Sequence, residues 1–262
     1  MSKKSVRDSA DNLRDQVRER YAGIVKKSGC CCGSDCGTPD PEAISTALGY
    51  DKNELESIPE GANLGLGCGN PQAIADLKPG ETVLDLGSGA GFDCFLAARA
   101  VGPEGHVIGV DMTSEMLAKA RENLKKSKLS NVEFRLGEIE HLPVADNSVE
   151  AIISNCVVNL SPDKFAVYCE AHRVLRAGGR IAISDVVALK PLTKKLKSDL
   201  DTYGGCVGGA ALVSEIKEML EKAGFVKIRI SVNEKSREFI KDWFPGSGAE
   251  NYVASATIEA VK

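Results

Sequence analysis

Apolar residues first recur at helical spacing near the start of the chain. Val6, Leu13, Val17, Tyr21 and Ile24 form a narrow stripe with charges between them, which predicts a helix over residues 5–27. The pattern stops at Ser28-Gly29, where GCCCGSDCGTPDP has the composition of a loop. Asp40 as N-cap and Pro41 at the first helical position then open a short helix to Leu48. A glycine-rich loop, GANLGLGCGNP, covers residues 61–71, and Pro71 starts another short helix ending near Pro79-Gly80. From Glu81 the period changes. Short, strongly apolar strands at Thr82–Leu86, His106–Asp111, Val132–Leu136, Val149–Ser154 and Arg180–Val187 alternate with helices at Gly91–Val101, Ser114–Lys126 and Pro162–Leu175. A helix at Ser214–Ala223 and strands at Phe225–Val232 and Tyr252–Ala260 complete the pattern.

Strands this apolar are covered on both faces, and their alternation with helices implies a parallel sheet. The expected fold class is α/β, a doubly wound, mostly parallel sheet with a helical N-terminal extension. The last two strands have no convincing helix between them, which predicts an antiparallel hairpin at one edge. The expected organisation is an N-terminal part (1–72) of helices and the cysteine-rich loop, a cofactor-binding core (73–190), and a closing part (191–262) of the same domain.

Composition narrows the function. The formal charge of −4 and the scattering of basic residues argue against a nucleic-acid partner. No apolar run approaches the ~20 residues that span a bilayer, so no membrane partner is expected. The opening residues are charged throughout and lack the apolar stretch of a signal peptide, so the expected location is cytoplasmic. Nine cysteines in a chain of 262 residues then point to soft-ligand or thiol redox chemistry rather than a disulfide scaffold.

The strongest local signal is VLDLGSGAGFD at residues 83–93, an apolar strand running into glycines and then directly into a helix. Glycines let the backbone turn sharply and approach a ligand. Phe92 stands where a dinucleotide fingerprint needs a small residue, which argues against a pyrophosphate grip. Asp85 sits within the strand, and Asp111 ends the next one about 20 residues beyond Gly91, where a carboxylate can accept from both ribose hydroxyls. Met112 beside it suits packing against a purine.

D-x-G-x-G-x-G from Asp85 to Gly91, the strand-end Asp111 and the later GEIE at 137–140 together resemble the class I S-adenosylmethionine-dependent methyltransferases. The resemblance covers roughly residues 80–190. It implies a Rossmann-like sheet with S-adenosylmethionine as cofactor. Gly87, Ser88, Gly89 and Gly91 would surround its methionine part, Asp111 would hold the ribose, Ile139 and Glu140 would flank the adenine, and Asn155 would lie near the sulfonium.

Three cysteines fall where an acceptor belongs, outside the carboxyl ends of the strands. Cys156 follows a strand in SNCVVNLSPD, while Cys68 (GLGCGNP) and Cys206 (TYGGCVGGA) sit in glycine-rich loops that suit closure over a ligand. Three converging sulfurs make a soft, three-coordinate site. Trivalent arsenic takes three sulfurs in a pyramid and keeps a lone pair able to attack a sulfonium methyl. These three segments, with VLDLGSGAGFD, closely resemble those of arsenite methyltransferases over about residues 15–235. The resemblance implies As(III) ligation by Cys68, Cys156 and Cys206, and arsenite and methylated arsenicals as substrates. It also implies an upstream cysteine that forms a disulfide with Cys68 and is reduced by thioredoxin or another thiol reductant, with the protein thiols as electron source. Cys32 is the expected one, although Cys30, Cys31 and Cys36 remain open, as does a solvated tail without function.

The remaining candidates are plainer. Cys94 and Cys169 fall on apolar helix faces and are expected in the core. Phe92, Phe95 and Leu96 are expected to pack helix against sheet, and Tyr21 to cap the cofactor or pack in the core. His106, His141 and His172 have no metal-ligand spacing. Two rival functions stand beside arsenite methylation: a methyltransferase for a small organic acceptor, and a noncatalytic thiol protein that binds metalloids or senses redox state.

Overall fold

The computed structural model describes residues 3–28 and 40–262. Cys30, Cys31, Cys32 and Cys36 lie outside the described residues. Helices α1 (Lys3–Ser28), α2 (Pro41–Ala47), α3 (Lys52–Ser57) and α4 (Gln72–Ala75) precede the sheet. The core then alternates β1 (Thr82–Leu86), α5 (Phe92–Val101), β2 (His106–Asp111), α6 (Ser114–Lys126) and β3 (Val132–Leu136). It continues with β4 (Val149–Asn155), α7 (Lys164–Val174), β5 (Leu175–Ala188), α8 (Lys194–Ser198) and α9 (Leu200–Gly204). The chain closes with α10 (Val213–Ala223), β6 (Val226–Asn233), α11 (Arg237–Trp243) and β7 (Val253–Val261).

The seven strands run in the order β3-β2-β1-β4-β5-β7-β6. The first five are mutually parallel, and β7 is antiparallel to both β5 and β6. The predicted hairpin is therefore real, but β7 is inserted between β5 and β6, so of these two only β6 lies at an edge of the sheet. A helix missing from the sequence expectation, α11, lies in the connection between them. It has only seven residues and buries Ile240 alone, too little for its period to stand out. The predicted helix after Pro71 is a single turn ending at Ala75.

Alternate residues of the strands feed two apolar layers. Leu84, Leu86, Ile108 and Ile152 face α7 and α10, while Val83, Val107, Ala151 and Ile153 face α5 and α6. Two covered faces are why these strands read as unbroken apolar runs. Their carboxyl ends point to one side of the sheet. There a third apolar cluster gathers Val17 of α1, Cys68, Cys156, Val186 and Cys206.

Candidate functional site

A cleft with about 1130 Å³ of empty space, its open mouth included, runs along the carboxyl ends of β1, β2 and β4. Asp85, Gly87, Ser88, Gly89, Asp111 and Met112 form its floor, and Ile139, Glu140, Asn155 and Cys156 its far walls. Gly91 lies just behind, as the N-cap of α5. The turn is built from glycines with left-handed φ of 69°, 52° and 94° at 87, 89 and 91. A Cβ on Gly87 would sit 2.3 Å from a Val157 methyl, so the turn is closed to larger residues.

Three acids of the cleft floor, Asp85 and Asp93 buried and Asp111 half-buried, form no ion pair among the described residues. Asp111 accepts from the amides of Gly89 (2.9 Å) and Thr113 (2.8 Å), one per oxygen. Burial raises its carboxyl above the usual range despite those two donors. Asp85 accepts from the Cys94 thiol at 3.2 Å, and burial, reinforced by Asp93, pushes it well up. Asp93 accepts from the Tyr50 hydroxyl at 2.8 Å, and burial lifts it to about 6. The buried Ser88 hydroxyl has no hydrogen-bond partner among the described residues. Buried acids without cations, beside an unpaired hydroxyl, suit a polar ligand with net positive charge. S-adenosylmethionine, with its ammonium and sulfonium, is such a ligand. Asp111 keeps lone pairs free for ribose hydroxyls, and Asp85 and Asp93 would answer the cationic end.

The opposite wall comes from the N-terminal helices. Arg14, Val17 and Tyr21 of α1 face the cleft. The Tyr21 hydroxyl donates to the Gly204 carbonyl at 3.3 Å, which ties α1 to the Cys206 region. Arg14 pairs with the nearly buried Glu140 at 3.2 Å, and Glu140 also accepts from Ser161 at 2.7 Å. Phe92, expected in helix–sheet packing, instead lines the cleft and meets Tyr50 edge-on at 4.8 Å, whereas Phe95 and Leu96 are core. The reason is local: Phe92 is the first residue of α5, directly after the glycine turn at the cleft floor.

Cys156 belongs both to the cleft and to a thiol cluster at its end. The sulfurs of Cys68 and Cys156 and a carboxylate oxygen of Asp185 all lie within 4.8 Å of one another. The Cys68 thiol reaches the Ser184 carbonyl at 3.5 Å, and the Cys156 thiol lies close enough to those of Cys68 and Cys206 to influence their protonation. The Cys206 thiol also reaches the Cys156 carbonyl at 2.7 Å. All three cysteines are free thiols and at most 5% exposed, so the glycine-rich loops are closed rather than open. Cys156 and Cys206 adopt left-handed φ of 61° and 65°, a costly conformation away from glycine.

These thiols are held protonated at neutral pH. Burial pushes Cys68 up to about 11. For Cys156, contact with Cys206 pulls down but Cys68 and burial outweigh it, and for Cys206 the Cys156 contact and burial both raise. Burial also lifts Asp185 to about 6, against the amides of Val186 and Asn159.

Sequence reasoning missed Tyr50, Asp93, Asp185 and Asn159. Only Asp185 carried a signal, as a charge inside the apolar strand IAISDVVA. Cys94 is core as expected, but Cys169 is half-exposed and not a core residue. It lies on the outer side of α7, whose buried side is Val167, Tyr168, Ala171 and Val174. His106 pairs with Glu133 on the surface, away from both sites.

Comparison with known proteins bears on the geometry. A family model, Methyltransferase domain, matches residues 77–224. Over 96% of its length the chain is 55% identical to an arsenite methyltransferase from Halobacterium salinarum, spanning 67% of that protein. It is 43% identical over 83% of its length to an arsenite methyltransferase from Aquipseudomonas alcaligenes, spanning 63% of it. An arsenic(III) S-adenosylmethionine methyltransferase from Chlamydomonas reinhardtii superposes with a TM-score of 0.61 at 31% identity, covering 86% of this chain and 74% of that one. With its sheet order, its glycine turn and acids, and these relatives, the chain belongs to the arsenite methyltransferase family of S-adenosylmethionine-dependent methyltransferases.

Proposed function

We propose that this chain methylates trivalent arsenic held by Cys68, Cys156 and Cys206. The observation that carries this reading is that three thiols from distant segments meet at one end of the cofactor cleft and share Cys156 with it. Arsenious acid condenses with three thiols to give a tris-thiolate and three waters. The protons come from the thiols themselves, so groups held protonated are suited to the task and no separate base is required. Bound S-adenosylmethionine supplies an electrophilic methyl group on its sulfonium. Asp111, with Ile139, Glu140 and Met112, holds the nucleoside, Gly87, Ser88, Gly89 and Gly91 enclose the methionine part, and Asp85 and Asp93 answer its positive charge. Val17, Tyr21 and Tyr50 cover the cleft and exclude water.

Methylation takes arsenic formally from III to V. A further thiolate that attacks the arsenic-bound sulfur of Cys68 forms a disulfide, breaks that one As–S bond and leaves its electron pair on arsenic, which returns to III. We assign that thiolate to a cysteine of residues 30–36, Cys32 first among them. Thioredoxin or another dithiol reductant in the cytoplasm would reset the pair. No helix among the described residues is long and apolar enough to cross a membrane.

The test is transfer of a labelled methyl group with arsenite present and absent. Transfer that requires arsenite supports the reading, while equal transfer to a quinone or other organic acceptor without it overturns it. Deleting residues 28–37 separates the redox assignment from the rest. The deletion should slow turnover on arsenite and remove its dependence on thioredoxin, and wild-type multiple-turnover rates in the deletion would refute the assignment.

A further inference from the structure

The segment Ser154-Asn155-Cys156-Val157-Val158-Asn159 carries one thiol with an asparagine on either side. Each asparagine reaches a different one of the other two cysteine loops. Asn155 Oδ1 accepts from the Cys68 amide at 3.0 Å, and its Nδ2 donates to the Gly69 carbonyl at 2.8 Å. One side-chain amide thus grips the backbone at Cys68 and at its neighbour. The approach depends on missing side chains. A Cβ on Gly67 would lie 2.7 Å from Asn155 Nδ2, and one on Gly69 would lie 2.9 Å from the Ser184 side chain. The Tyr50 hydroxyl (3.1 Å) and the Asp93 carboxylate (3.4 Å) both face Nδ2 and fix which end of the amide points where.

Asn159 grips the other loop. Its Nδ2 donates to Asp185 Oδ1 at 2.9 Å and reaches the Cys206 carbonyl at 3.2 Å, and its backbone amide donates to Asp185 Oδ2 at 3.2 Å. A Cβ on Gly209 would stand 2.0 Å from the Asn159 carbonyl. The two grips differ in setting: Asn159 is buried at 3% exposure, whereas Asn155 is half-buried on the cleft wall.

We propose that Asn155 and Asn159 are positioning residues with separate duties. Asn159 sets Cys206 against Cys156, the pair that arsenicals with two or three exchangeable groups share. Asn155 closes Cys68 onto that pair as third ligand, which only an arsenical with three exchangeable groups requires. Arsenious acid loses three waters to three thiols, and an arsenical that already carries one carbon substituent loses two waters to two thiols. The asparagine that holds Cys68 therefore selects between acceptors of different methylation state. This inference rests on the thiol trio being the acceptor site.

The test uses the full-length protein without cofactor, so that the place of Asn155 on the cleft wall does not enter. In the reduced apoprotein, N155A should raise the alkylation rate of Cys68 by iodoacetamide at least tenfold, leaving Cys156 and Cys206 within twofold. Titrated with arsenite and with phenylarsine oxide, N155A should bind arsenite ten- to a hundredfold more weakly and phenylarsine oxide within twofold of wild type. Y50F, which removes only the hydroxyl that orients the amide, should show the same selective loss at about threefold, and it decides the matter if N155A does not fold. N159A should weaken both arsenicals together. Unchanged Cys68 alkylation and arsenite affinity in folded N155A and Y50F would overturn the proposal, as would equal weakening of both arsenicals by N155A. Wild type that binds neither arsenical would instead sink the acceptor assignment, with the alkylation pattern still reporting on the grip.

Discussion

The cofactor end and the thiol end of the cleft are built in opposite ways. The first comes mainly from one β–α–β unit, where Asp85, the glycine turn and Asp111 are fixed by local backbone, with Gly89 and Thr113 donating directly to Asp111. The second is assembled from positions 68, 156, 185 and 206, held by asparagine side chains and apolar closure. A site made by neighbours in sequence survives loosening of the molecule elsewhere. A site made by distant loops exists only while all of them are docked, and loops docked by few contacts open at lower free energy than core strands.

The largest effect should come from the shared residue. Cys156→Ser should lower arsenite methylation by a thousandfold or more, because serine is a hard, protonated donor at neutral pH. Cofactor affinity by calorimetry should stay within about twofold. Comparable loss of cofactor binding would erase the distinction between the two ends. Next in size is Asp111→Ala, which removes charge-assisted hydrogen bonds of roughly 1.5–3 kcal/mol each, part of which water recovers. Cofactor affinity should fall ten- to a hundredfold while the apoprotein still binds arsenite as tightly as wild type. A folded variant with unaltered cofactor affinity would remove Asp111 from the site.

The smallest effect is one of pH, and it sharpens the contrast. Burial raises Asp93 to about 6 and pushes Asp85 in the same direction. For an acid whose folded value exceeds its unfolded one, the apoprotein binds more protons than the unfolded chain. Its stability from these groups therefore falls as pH rises from the usual carboxylate range to about 6. A cationic cofactor favours the ionised forms, so its affinity should rise over the same window and its binding should release protons at the acid end. Each such group adds at most about tenfold in affinity per pH unit. Arsenite binding, in which neutral thiols meet a neutral acid and water leaves, should be flat between pH 7 and 8, above the value of about 6 to which Asp185 is raised. Calorimetry in buffers of different ionisation enthalpy reads both, and matching pH profiles for the two ligands would contradict the assignment.

The same contrast explains what could be read beforehand. The sheet and the cofactor floor were legible because their determinants are periodic or adjacent: two-faced apolar strands, D-x-G-x-G-x-G, and an acid at the next strand end. The three thiols were legible by their glycine surroundings and their resemblance to a family, not by any spacing. Tyr50 and Asp93 were not, since one sits between two short helices and the other reads as an ordinary acid in the first turn of α5. The resemblance to the methyltransferase family put Asn155 near the sulfonium. The residue does line the cleft, but its amide is engaged by the Cys68 loop, a partner 87 positions away that no local pattern reveals. The edge of the sheet was only half legible, because which strand β7 would pair with depends on tertiary packing.

The left-handed backbone at Cys156 and Cys206 has a consequence for anyone who selects this protein for robustness. Glycine adopts that conformation without the penalty that a Cβ brings. Replacing either cysteine by glycine thus removes local strain together with a sulfur. A screen that rewards melting temperature alone will drift toward variants that are sturdier and chemically silent, because at these two positions durability and chemistry pull in opposite directions.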